Sequence, residues 1–209
     1  MTDRRQFLKI GLATSTIPLA ARATGSSAFS AFSSGKTLPF YKVIVDERYD
    51  ESIEFGKAME ERGYDTYLMK NGDLTQFWYE NLNALWEKEP VAIAGFTKFG
   101  PLFCLEQLGR TYGAKVVYRG DHLYQQQGKV THKLNGPEKM LSNSNNLLSF
   151  ANEKVAGQTV AEMMLSCEAG TTAIIESVCS EQVAHQSALT DALPEDNLVS
   201  WIVAPAHLM

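Results

Sequence analysis

Long apolar runs, paired cysteines and basic stripes are all missing from this chain of 209 residues. Its three cysteines, Cys104, Cys167 and Cys179, are odd in number and none stands in a CxxC. That excludes a disulfide framework and a zinc knuckle. At most one pair can close within the chain, with Cys167 and Cys179 the nearer in sequence; otherwise three packed thiols are expected. The four histidines, His122, His132, His185 and His207, are scattered, with no HExxH, so no metal site is expected. No G-x-S-x-G elbow supports a serine hydrolase. After the first expected strand stands "DERYDES", where a dinucleotide fold would carry G-x-G-x-x-G. No cofactor is therefore expected.

What is present begins at the N-terminus. Asp3, Arg4, Arg5, Gln6, Phe7, Leu8 and Lys9 are followed by a short apolar segment, Ile10 to Ala21, diluted by Gly11, Thr14, Ser15 and Thr16. The segment is shorter than the ~20 apolar residues that span a bilayer, and it suits a cleavable signal. This stretch resembles a twin-arginine export signal, Ser/Thr-Arg-Arg-x-Phe-Leu-Lys, departing from it only at Asp3. The resemblance is confined to residues 1–23. It implies recognition of Arg4, Arg5, Phe7, Leu8 and Lys9 by the twin-arginine (Tat) translocase, cleavage after Ala23, and a periplasmic mature protein. Proteins taking this route cross already folded, often with a cofactor inserted or alongside a partner, so a periplasmic redox-enzyme partner is one implication.

Loss of Arg4, Arg5, Lys9 and Arg22 against Asp3 alone takes the net charge from −5 to −8. An acidic domain without a basic stripe is a poor ligand for nucleic acid or for an anionic membrane surface. No membrane attachment is expected after cleavage. Residues 24–38, "TGSSAFSAFSSGKTL", read as a flexible linker. Residues 39–209 then suit a single α/β domain.

Within that domain short β-branched runs alternate with helical patterns. Strands are expected at 41–46, 64–69, 91–95 and 115–119, with helices between them closed by Gly63, Pro90 and Gly113. The alternation predicts a three-layer, mostly parallel, Rossmann-like (doubly wound) sheet. "HLYQQQGKVTHKL" predicts a β-hairpin insertion turning near Gln127-Gly128. A helix through Ala156–Cys167, a strand at "TTAIIESV", a short helix through Val183 and Ala188, and a last strand at "NLVSWIVAP" complete the reading.

Ligands of such sheets bind beyond the carboxyl ends of the strands. Asp46, Asp121 and His122 are the candidate catalytic groups there, with Thr97, Lys98, Gly100 and Arg119 as candidate ligand contacts. Together they offer carboxylates, cations and an imidazole for anion binding or proton transfer. "GFTKFGPL" has the glycine spacing of a phosphate loop, but Pro101 and Leu102 replace the Lys and Ser/Thr that would reach phosphate and magnesium. An NTP site is thereby excluded. Two functions remain: an exported binding or accessory protein, such as one associated with a Tat-exported oxidoreductase, and a small periplasmic lyase, isomerase or hydrolase acting on an anionic metabolite at the strand rim.

Overall fold

The computed structural model describes residues 37–124, 129–142, 156–170, 173–182 and 197–209. In chain order come β1 (Phe40–Asp46), α1 (Asp50–Glu60) and β2 (Thr66–Met69). A broken helical segment follows, made of α2 (Thr75–Phe77), a π-helical turn (Trp78–Leu82) and α3 (Asn83–Trp86). Then come β3 (Ala92–Thr97), α4 (Phe99–Gly109), β4 (Ala114–Tyr124), β5 (Lys129–Pro137), α5 (Ala156–Leu165), β6 (Ile174–Gln182) and β7 (Leu198–Pro205). The short helix expected through Val183 and Ala188 lies outside the described residues, as does most of the 24–38 linker.

The strands form one sheet in the order β2-β1-β3-β7-β4-β5-β6. β1 pairs in parallel with β2 and with β3. The β3–β7, β7–β4, β4–β5 and β5–β6 pairings are all antiparallel. The sheet is mixed and mostly antiparallel, which corrects the expectation of a mostly parallel, Rossmann-like fold. The reason lies in β7. All eight of its residues are buried, so its apolar run needs neighbours on both edges and cover on both faces. It finds them by entering between β3 and β4 in the opposite direction. β4 still runs the same way as β1, β2 and β3, but it pairs with none of them.

A second correction follows from the same strand. β4 does not end near Arg119; it continues to Tyr124 and pairs back on β5 from Arg119↔Asn135 to Tyr124↔Val130. The residues read as a hairpin insertion are integral strands of the sheet.

Helices cover both faces. On one, Phe55, Ala58 and Met59 of α1 and Val160, Met163 and Met164 of α5 pack on Val43, Phe96, Tyr118, Leu134 and Ile202. On the other, Phe77, Leu82 and Trp86 of the broken segment and Leu102 and Leu105 of α4 pack on Ile44, Ile93, Trp201 and Val203. Fully burying each such side chain contributes about 1.5–3 kcal/mol. Gly95 is required by this packing: a Cβ there would lie 2.3 Å from the Trp201 ring. Leu38 is fully buried and its N–H bonds the Cys167 carbonyl at 2.8 Å, so the chain joins the core there.

Candidate functional site

β1 lies between β2 and β3, and the chain crosses from one side of it to the other between those two strands. The carboxyl ends of β1 and β3 therefore form the switch point where ligands of open α/β sheets bind. Asp46, the last residue of β1, is fully buried. Its carboxylate takes two bonds from the Arg48 guanidinium, Nε to Oδ1 at 2.8 Å and Nη2 to Oδ2 at 2.7 Å. Its backbone N–H donates to Ser52 Oγ at 2.8 Å. Ser52 Oγ in turn donates to the Phe96 carbonyl, fastening the start of α1 across the ends of β1 and β3.

Arg48 is held from the other side by the loop after β2. Gly72 has φ +75°, and a Cβ on it would fall 2.2 Å from Arg48 Nη2, so only glycine lets the backbone lie this close. The bond to Asp46 raises the Arg48 pKa above its ordinary value, which keeps the cation in place. Its guanidinium carbon sits 5.5 Å from the centre of the Tyr49 ring, and Lys98 Nζ sits 5.6 Å from the same centre. Two cations thus gather about one aromatic ring at the switch point, with the Arg48 side chain 38% exposed. Lys98 also precedes α4, whose first turn carries Gly100 with open space beside it.

The remaining sequence candidates go elsewhere. Thr97 is buried; its hydroxyl donates to the Lys98 carbonyl at 2.8 Å and accepts from Trp201 Nε1 at 3.0 Å, which leaves it committed to structure. Arg119 and Asp121 pair with each other on the α4 face of β4, with Nε and Nη2 reaching Oδ1 at 3.1 and 2.7 Å. Arg119 also lies over the Phe99 ring, 4.8 Å from its centre. Asp46 and Asp121 stand on strands three places apart in the sheet, about 14 Å at the usual strand spacing. His122 follows Asp121 and so points to the opposite face. The candidates therefore do not share one pocket.

His122 belongs to a buried polar row that the sequence reading missed. Its Nδ1 lies 2.6 Å from His132 Nδ1 and its Nε2 lies 2.7 Å from Ser200 Oγ. Ser200 Oγ also meets the Tyr118 hydroxyl at 2.9 Å, and Tyr118 OH reaches Met163 Sδ at 3.8 Å. His122 and His132 are each 1% exposed and Ser200 and Tyr118 are fully buried. Burial, with His132 adding to it, holds the His122 pKa well below its ordinary value, so the ring is neutral near pH 7. One imidazole must then donate through Nδ1 and the other accept, and the Ser200 hydroxyl orients to match. Buried among these strands, the row fixes β4, β5 and β7 to one another. Two signals pointed to it: a hairpin centred near Gln127 sets His122 opposite His132, and Ser200 is the lone hydroxyl in an apolar strand.

Cys104 is exposed on α4, not packed as the sequence suggested. Cys167 is a free, buried thiol whose pKa is pushed up to about 11 by burial and by Glu168, so it is inert. Among the described residues no three His, Cys, Asp or Glu side chains converge as metal ligands, and no helix is long and apolar enough to cross a membrane. Compared with protein-family models, curated proteins and solved structures, the chain matches none of them.

Proposed function

We propose that this is an exported periplasmic binding protein that holds a small anionic ligand where β1 and β3 end, and that it serves other components without catalysing a reaction. The observation that carries this reading is the grouping of Arg48 and Lys98 about Tyr49 at the switch point. A guanidinium already oriented by a buried carboxylate loses little freedom on meeting an anion, and the ring supplies a face for an apolar portion of the ligand. The groups suited to proton transfer favour binding over turnover: the Asp46 carboxylate is engaged by Arg48 and His122 is enclosed. Export rests on the Arg4-Arg5 signal.

The reading is tested by thermal unfolding of the mature protein with inorganic phosphate, small mono- and dicarboxylates and their neutral amides. An anion at a hundred times its Kd should raise Tm by about 5–10 °C, and the amide should not. Lys98→Met should remove the response while the circular dichroism spectrum shows the fold kept. No response to any anion would end this reading.

A second reading, an accessory subunit of a Tat-exported oxidoreductase, draws on the outer side of α4. Phe99 and Phe103, one turn apart with ring centres 6.0 Å from each other, are 44% and 48% exposed there and form a small contiguous apolar patch. Stoichiometric co-purification with a cofactor-bearing enzyme, lost in Phe103→Glu, would favour it.

A further inference from the structure

Asp46 holds Arg48 at both ends. Its Oδ1 accepts the Arg48 backbone N–H at 3.3 Å and Nε–H at 2.8 Å, and its Oδ2 accepts Nη2–H at 2.7 Å. A guanidinium carries five N–H donors in one plane. Asp46 takes two of them, along the edge between Nε and Nη2. Among the described residues no other group accepts a hydrogen bond from the Arg48 side chain. Both N–H groups of Nη1 and the second of Nη2 are left over. The Glu47 carboxylate bonds the Asn71 N–H, at 3.1 Å, and not the guanidinium. Asp46 is fully buried and the Arg48 side chain is 38% exposed, so the pair runs from the core to solvent.

We propose that the anion held where β1 and β3 end is an organic monocarboxylate, received end-on by Nη1 and Nη2 of Arg48. This ligand class rests on the anion-binding reading above and narrows it. The edge between Nη1 and Nη2 presents two parallel N–H groups whose spacing matches the two oxygens of a carboxylate. A spherical anion such as chloride cannot give each of them its own acceptor atom. Asp46 limits the charge of the ligand as well. Its buried carboxylate is poorly screened, and a dianion on the next edge of the same guanidinium meets twice the repulsion a monoanion meets. Inorganic phosphate, mostly dianionic at pH 8, is disfavoured on that ground. The Tyr49 ring, its centre 5.5 Å from the guanidinium carbon, packs partly against the core. It offers the carboxylate's apolar tail a surface to lie on.

The test is titration calorimetry of the mature protein at pH 8 and fixed ionic strength, with butanoate, acetate, chloride, inorganic phosphate and neutral butanamide. Butanoate should bind and butanamide should not. Chloride and phosphate should each bind more weakly than butanoate by about tenfold or more. Acetate should be several times weaker than butanoate, because it has less apolar surface to lay on Tyr49. Arg48→Lys keeps the charge and can still pair with Asp46, but an ammonium has no fork. It should weaken butanoate binding by about tenfold or more, with circular dichroism showing the fold kept. Should that variant fail to fold, the ligand comparison on the wild type decides alone. If none of the anions binds, the anion-binding reading falls and the carboxylate assignment with it. If chloride, phosphate or butanamide binds at least as tightly as butanoate, the assignment is overturned, and in the first two cases the anion site still stands. Equal affinity for acetate and butanoate, or undiminished butanoate binding in a folded Arg48→Lys protein, overturns it likewise.

Discussion

His122 Nδ1 and His132 Nδ1 lie 2.6 Å apart across the β4–β5 ladder, and neither ring has more than 1% of its surface in water. A contact this short between two basic nitrogens requires that one carry a proton and the other accept it. It also makes the protein's stability depend on pH.

In the folded protein His122 is held neutral because burial, and then His132, lowers its pKa well below the ordinary value. In the unfolded chain the same ring protonates near pH 6.5. Below that pH the unfolded state binds more protons, so stability is fully present above about pH 7 and is lost as pH falls. The loss should approach about 1.4 kcal/mol per pH unit between pH 6 and 5 for this one group. Urea unfolding at pH 7.5, 6 and 5 measures it. His122→Asn should be less stable at pH 7.5 yet show a flatter pH profile, and an unchanged slope would remove His122 as its source.

Ser200 joins His122 Nε2 to the Tyr118 hydroxyl, at 2.7 and 2.9 Å. Ser200→Ala takes one hydrogen bond from each of these buried groups, while Tyr118 keeps Met163, and should cost about 2–3 kcal/mol. Tyr118→Phe removes one end of the row and should cost about 1 kcal/mol, since Ser200 retains His122. Equal losses in chemical denaturation would mean that the row is not continuous.

Gly72 and Gly63 both have positive φ, +75° and +85°, but only Gly72 lies against Arg48. Alanine at Gly63 meets nothing within 4 Å and should cost only backbone strain, about 1 kcal/mol. Alanine at Gly72 must also push the guanidinium off Asp46. It should therefore lose more stability and abolish the anion response in thermal unfolding. Retention of that response in Gly72→Ala would separate Arg48 from the site.

Export by the twin-arginine route predicts that Arg4→Lys with Arg5→Lys leaves the precursor in the cytoplasm. The wild-type periplasmic form should begin near Thr24 by mass spectrometry. Appearance of the double variant in the periplasm at the normal level would remove the assignment.

Local order was legible in the residues. Short β-branched runs fall on β1 and β3, and glycine and proline mark the helix ends, because these features act on the chain within a few residues. The rim at Asp46 and Lys98 was legible for the same reason: it sits where strands end. The grouping of Arg119 and Asp121 with His122 was misjudged because β4 was expected to stop at residue 119. A strand that continues to Tyr124 sends alternate side chains to opposite faces, and that alone parts His122 from its neighbours.

The sequence by itself determined where most strands and helices begin and which side chains are apolar enough to be buried. Only the tertiary structure decided that β7 separates β3 from β4, that Ser200 meets His122 from 78 residues away, and that Arg48 turns to Asp46. The physical reason is that strand neighbours are joined by backbone hydrogen bonds common to every residue except proline. An apolar strand needs burial on both faces, but its side chains do not name the edges it will join.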